Sequence, residues 1–207
     1  MTLSHRVFLL SPARAGGRRY EMLVRDEARF DLAVKLQQGA ATIGEVYSFI
    51  SGLYFRGKLT YAEAFSAAPT GIPPVLLIVP GFGLVPPTTP VTIEQLHMIS
   101  NIPVDERNPT YRDALLNAAR LLDEHAGPDC LHVLLGSVAS GKYIEPLLDV
   151  FAERLVFPTD FVGRGDMSRG GLMLRRAHSE IELNYIPVQG AVRHGARPPR
   201  LEKWRKP

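Results

Sequence analysis

PPVLLIVPGFGLVPP, residues 73–87, is an apolar run fenced by prolines and glycines. A short continuous apolar run bounded by turn residues reads as a fully buried strand, of the kind found in the middle of a parallel sheet. RVFLL (residues 6–10) and LHVLLG (residues 131–136) read the same way. Between these runs lie segments with apolar residues at helical spacing: 28–38, 43–54, 92–100, 110–125 and 143–154, plus a short one at 61–68 after the RGK break. Strands alternating with helices argue for an α/β protein with a mostly parallel central sheet flanked by helices. The last third changes style. GLMLRR (171–176) and EIELNYIPV (180–188) read as an antiparallel C-terminal pair joined by AHS. Residues 1–190 are expected to form a single domain, and 191–207 a basic, extended C-terminal tail.

Hydrophobic residues make up 45% of the 207, enough for a core of ordinary size. No stretch approaches the roughly 20 apolar residues of a membrane span. The opening MTLSHRVFLLSPAR has an apolar run of four, too short for a secretory signal core. One cysteine, Cys130, excludes an intrachain disulfide and suits a reducing, cytoplasmic setting. The six histidines are scattered without ligand spacing, so the sequence points to no metal centre and no cofactor. Residues 189–207 carry six Lys/Arg against Glu202, a net +5, which leaves −2 on the other 188 residues of a chain whose total is +3. The basic character is therefore local, suited to nucleic-acid contact or to a solvated terminus.

Chemistry concentrates in FVGRGDMSRGGLMLRR, residues 161–176, which holds four glycines and four arginines. Glycine lets backbone approach a ligand, and clustered guanidinium groups suit phosphate or carboxylate. Arg164, Gly165, Ser168 and Arg169 are candidate binding residues. Asp166 is a candidate acid/base, with an Asx turn as the alternative. GSVASGKY (136–143) follows the phosphate-loop pattern G-x-x-x-x-G-K-[ST] except at Tyr143, which occupies the magnesium-ligating hydroxyl position. Even as a plain strand-to-helix turn, it offers free backbone N–H groups to an anion. Gly136, Ser137 and Tyr143 join the binding candidates, and Lys142 the catalytic ones. In SGLYFRGKLTY, Tyr54, Arg56 and Lys58 mix aromatic and cationic groups on a loop able to stack and neutralise a nucleotide; a helix cap at Gly57 is the alternative.

Several of these segments together resemble the YaaA proteins. FLLSPAR is similar to that family's opening strand and Ser-Pro-Ala-Lys-like turn, with Ser11 in place and Arg14 where the family has lysine. RGDMSRGG resembles its late Arg-Gly-x-Met-Ala/Ser-Arg element. SGLYFRGKLTYA, IVPGFGLVPP (with Gly81 and Phe82) and LLGSVASGKY resemble elements of related small nucleic-acid-associated domains, in the same order. The resemblance implies a compact α/β fold and a DNA-binding protein linked to stress or damage response. The residues themselves leave a second expectation open: an enzyme on a nucleobase, nucleoside or related small anionic ligand. On either expectation the loops after the strands, at 11–14, 80–84, 136–142 and 164–169, converge on one end of the sheet. The sequence is silent on oligomeric state and expects no membrane partner.

Overall fold

The computed structural model describes residues 5–201; Glu202, Lys203, Arg205 and Lys206 of the basic tail lie outside them. Four parallel strands form the middle of the sheet: β1 (Arg6–Leu10), β2 (Val75–Val79), β4 (Leu131–Leu135) and β5 (Leu155–Pro158). β3 (Gly83–Val85) adds antiparallel to β2, and β6 (Tyr185–Pro187) antiparallel to β5, giving the order β3-β2-β1-β4-β5-β6. β1 is the central strand, with Leu10 in register with Leu77 on one side and Leu135 on the other. Both faces of its neighbours are covered, which is why β2 is apolar at every position.

From β1 the chain passes through α1 (Arg18–Leu23), α2 (Asp31–Gln37), α3 (Ile43–Ser51) and α4 (Leu53–Phe65) to β2. It then returns through β3, α5 (Ile93–Asn101) and α6 (Pro109–Ala126) to β4, and through α7 (Gly141–Phe151) to β5. The first crossover moves away from β4 and the later ones in the opposite direction. Right-handed connections therefore put α4 and the α6/α7 pair on opposite faces, while α5 packs against α1 at the end of the sheet. Accordingly α4 packs on β1 and β2, while α6 packs on α7. α8 (Asp166–Ser179) follows β5 and lies along α4. Local signals start the helices: a Thr42/Glu45 capping box for α3, a Thr92/Gln95 box for α5, and an Asn108 cap with Pro109 for α6. Among the described residues no helix is long and apolar enough to cross a membrane.

Three expectations change. GLMLRR is not a strand but the middle of α8, whose buried Arg169, Gly170, Leu172 and Met173 recur at helical spacing. The antiparallel C-terminal pair is instead β5 with β6. SGLYFRGKLTY is not a loop, and the chain does not break at RGK: α4 runs unbroken through it, and the break falls earlier, at Gly52 (φ 62°). α1, β3 and β5 went unanticipated, the two strands being only three and four residues long. The described part of the tail forms no helix or strand; residues 197–201 lie against the first turns of α8.

His132 on β4 is buried and stacks on Phe151, ring centroids 3.7 Å apart, with neither ring nitrogen hydrogen-bonded. Burial and the nearby Arg154 lower its pKa from 6.5 to about 4, against the pull of Asp123 at 3.9 Å. Between those values the unfolded chain binds the extra proton, so this site's stability is complete above about 6.5 and is lost as pH falls towards 4. The shift corresponds to roughly 3 kcal/mol. His132→Phe removes that acid sensitivity; denaturant titrations of both proteins at pH 4.5 and 7 check it.

Candidate functional site

Because the connections from β1 and β4 run to opposite faces, a crevice opens between the carboxyl ends of these two neighbouring strands. A cleft of about 560 Å³ occupies it. The turn after β1 (Ser11, Pro12, Ala13, Arg14, Ala15, Gly16) forms one border, and Ser137, Lys142 and Tyr143 of the β4–α7 turn another. Tyr54 of α4 and Asp166 of α8 close one side, while Pro80, Ile99, Ile102, Pro103 and Val104 make an apolar wall. The cleft thus pairs an apolar flank with a polar, cationic one.

The polar flank is organised by Lys58, which is 1% exposed on α4. Its Nζ donates to the Ser11 carbonyl and lies 2.9 Å from Ser11 Oγ, with the Tyr54 and Phe55 rings 4.6 and 4.8 Å away. Among the described residues no carboxylate stands within ion-pair distance of it. Burial lowers its pKa from 10.5 to about 7, and the charge of Asp166 only partly restores it. A buried ammonium without a counter-ion is costly, and losing the proton relieves that cost. Burial also raises the Tyr54 hydroxyl to about 12 and pushes the Tyr143 hydroxyl up, each with Asp166 adding to the effect. The Tyr54 hydroxyl lies close enough to Arg169 and Ser11 for both to pull its pKa back down, but no hydrogen bond of good geometry joins it to either.

Two close approaches hold these groups together. Gly136 sits so near the β1 turn that a methyl group on it would come within 2.9 Å of Ser11 Cβ. Gly57 and Gly170 let α4 and α8 touch backbone to backbone, which sets Tyr54 and Lys58 beside Asp166 and Arg169. The Arg-Gly element therefore uses Gly170 to seat a helix, a role its sequence alone does not distinguish from ligand approach. Arg169 is buried against Phe161, donating from Nε and Nη2 to the Phe161 carbonyl at 3.2 and 2.8 Å, with Asp166 Oδ1 3.7 Å from Nη1. The Asp166 side chain is 66% exposed at the first turn of α8.

Of the residues singled out in the sequence, Ser11, Arg14, Tyr54, Ser137, Lys142, Tyr143 and Asp166 line the cleft. Lys58 lies directly behind Ser11, and Gly136 packs beside it. Arg56 is exposed and outside the lining, and Phe82 lines a separate apolar hollow with Ile43 and Val91. Gly81 lies under the Ile102 side chain. Arg164, Gly165 and Ser168 face another hollow, of about 320 Å³, shared with Arg175, Arg197 and Arg200; Arg164 Nη1 donates to Ser168 Oγ at 3.2 Å. The sequence reading missed the apolar wall at 99–104 and the burial of Lys58. Helical spacing of Tyr54, Lys58 and Tyr61 was the available signal, since it puts the three on one face. Compared with models of protein families, with curated proteins and with solved structures, the chain matches none.

Proposed function

We propose that the cleft is the working site of an enzyme that takes a small anionic ligand carrying an apolar or ring-shaped part, of nucleobase, nucleoside or nucleotide size. The Tyr54 hydroxyl carries this reading. Buried hydroxyls in native proteins are nearly always hydrogen-bonded; this one, enclosed at the cleft wall beside Ser11 and Arg169 without a well-formed bond, can turn to a ligand atom. The volume suits such a ligand. Its anionic part finds Arg14, Lys142 and the first turn of α7, where Ser140 caps without a side-chain hydrogen bond and leaves backbone N–H groups to an anion. Its ring finds Pro80, Ile99 and Ile102.

Thermal denaturation with inorganic phosphate, nucleobases, nucleosides and nucleoside monophosphates tests it. A ligand at a hundred times its Kd stabilises by about 2.7 kcal/mol, which raises Tm by roughly 5–10 °C in a chain of this size. Tyr54→Phe changes the stability of the free protein little, because the hydroxyl it removes has no well-formed hydrogen bond. It weakens the ligand about tenfold, the loss of one hydrogen bond of about 1.5 kcal/mol. Folded protein that no member of the panel stabilises overturns the reading.

A second reading, DNA or RNA binding linked to stress or damage, is favoured by the arginines at 164, 175, 197 and 200 around one surface hollow. Fluorescence anisotropy with labelled single-stranded and duplex nucleic acid across a salt series separates the two. Steeply salt-dependent binding that Arg164→Ala/Arg200→Ala weakens and Tyr54→Phe does not belongs to the second.

A further inference from the structure

We propose that Ser11 is a nucleophile and Lys58 its general base, so that the cleft cleaves an ester or amide of its small ligand through an acyl-serine intermediate. This rests on the cleft being the ligand site and names the reaction class for it. Ser11 stands where the central strand ends, at the crevice, 3% exposed and among the residues that line the cleft. Lys58 Nζ lies 2.9 Å from Ser11 Oγ, within reach for proton transfer, and its bond to the Ser11 carbonyl holds it there. A neutral amine donates one hydrogen to that carbonyl and keeps its lone pair for the Ser11 hydroxyl. Serine–lysine pairs of this kind are one of the recurring forms of activated serine.

The lysine's surroundings favour the role over a simple structural tie. The amine is enclosed by aromatic rings, has no carboxylate partner among the described residues, and loses its proton near neutrality instead of at 10.5. A tie between α4 and the β1 turn needs none of this. The titratable groups around the pair are Tyr54 on α4, Tyr143 on α7, and Asp166 and Arg169 on α8.

The chemistry balances with water as the only co-reactant. Ser11 Oγ bonds to the carbonyl carbon as its proton passes to Lys58 Nζ. The tetrahedral adduct collapses, the bond to the leaving alcohol or amine breaks, and Lys58 returns the proton to it. Water then attacks the acyl-serine, giving a proton to Lys58, and Ser11 departs with that proton as the free hydroxyl. Negative charge forming on the carbonyl oxygen is favoured by the ammonium that Lys58 becomes in the same step.

Labelling with a fluorophosphonate, read by intact mass and peptide sequencing, tests the pair without knowledge of the substrate. Wild type acquires one adduct on Ser11, at a rate that rises with a midpoint near pH 7. Ser11→Ala acquires none. Lys58→Met and Lys58→Arg, checked for folding by circular dichroism, label at least about a hundredfold more slowly, the usual worth of a general base. Lys58→Arg keeps a cation and cannot release its proton, so it separates the loss of a base from the loss of a charge. A folded wild type with no Ser11 adduct, or Lys58 variants that label at the wild-type rate, overturn the proposal. Phosphate and nucleoside monophosphates added as protectants report on the ligand reading separately: labelling without protection keeps the dyad and removes that reading, and thermal stabilisation without labelling does the reverse.

Discussion

Lys58→Met makes the protein more stable at pH 6, less stable at pH 11, and nearly indifferent to pH in between. The lysine titrates near 10.5 in the unfolded chain and near 7 when folded. Between those values the unfolded state binds the extra proton, so the stability of wild type rises with pH across the window. Below about 7 both states are protonated and the whole cost of a buried, unpaired ammonium is present, on the order of 5 kcal/mol. Above about 10.5 both are neutral and the cost is gone. Methionine has a similar reach and no charge, so it removes that cost, but it leaves the Ser11 carbonyl and hydroxyl without their donor, a loss of about 1–3 kcal/mol. The net effect is a gain of a few kcal/mol at pH 6 and a loss of about 1–3 at pH 11. Urea denaturation of both proteins from pH 6 to 11 measures the two curves, which cross. A wild-type curve that is flat between pH 7 and 10 sinks the assignment. A stabilising substitution directly behind the cleft wall is what the proposed general base, held at the expense of stability, predicts.

Gly170→Ala and Gly57→Ala each destabilise the fold by about 2–4 kcal/mol, lowering Tm by roughly 5–15 °C. On an isolated helix either change would stabilise by about 1 kcal/mol, since alanine is the better helix former. Here the added methyl meets backbone, which cannot rotate away. At Gly57 it would stand 2.6 Å from the Gly170 carbonyl oxygen and 3.0 Å from Gly170 Cα. At Gly170 it would stand 2.9 Å from both the Leu53 carbonyl oxygen and Tyr54 Cα. The two helices must separate along their shared face. The two costs are not additive, because the first substitution already opens the contact that the second would strain. Separation also carries Asp166 and Arg169 away from Tyr54, so ligand binding falls more than stability alone accounts for. Equilibrium denaturation of the two single variants and the double variant measures both effects. A gain of about 1 kcal/mol in either single variant overturns the backbone-to-backbone crossing of α4 and α8.

How much of this was legible beforehand differs from element to element. β1, β2 and β4 announce themselves, because a strand covered on both faces must be almost wholly apolar, with His132 of β4 the buried exception, and these runs are bounded by proline or glycine. α5 and α6 are written in their periodicity and caps. β3 and β5 are not, since strands of three and four residues exist only by pairing with a neighbour already in place. GLMLRR is short and apolar enough to read as a strand, and its helical state follows from Gly170 seating against α4, a contact distant in sequence.

The site divides along the same line. Local chemistry, carried by residue type and turn position, nominated Ser137, Lys142, Tyr143 and Asp166, and the resemblance of FLLSPAR added Ser11 and Arg14; turns after parallel strands end at one edge of the sheet whatever the helices do. Which lysine matters was decided only by the packing. Lys142 and Lys58 look alike in sequence, yet one is half-buried at the start of α7 and the other is enclosed by Tyr54, Phe55 and the end of β1. Burial is a property of everything that surrounds a side chain, drawn here from α4, α8 and the sheet at once, and no stretch of the chain around Lys58 encodes it alone.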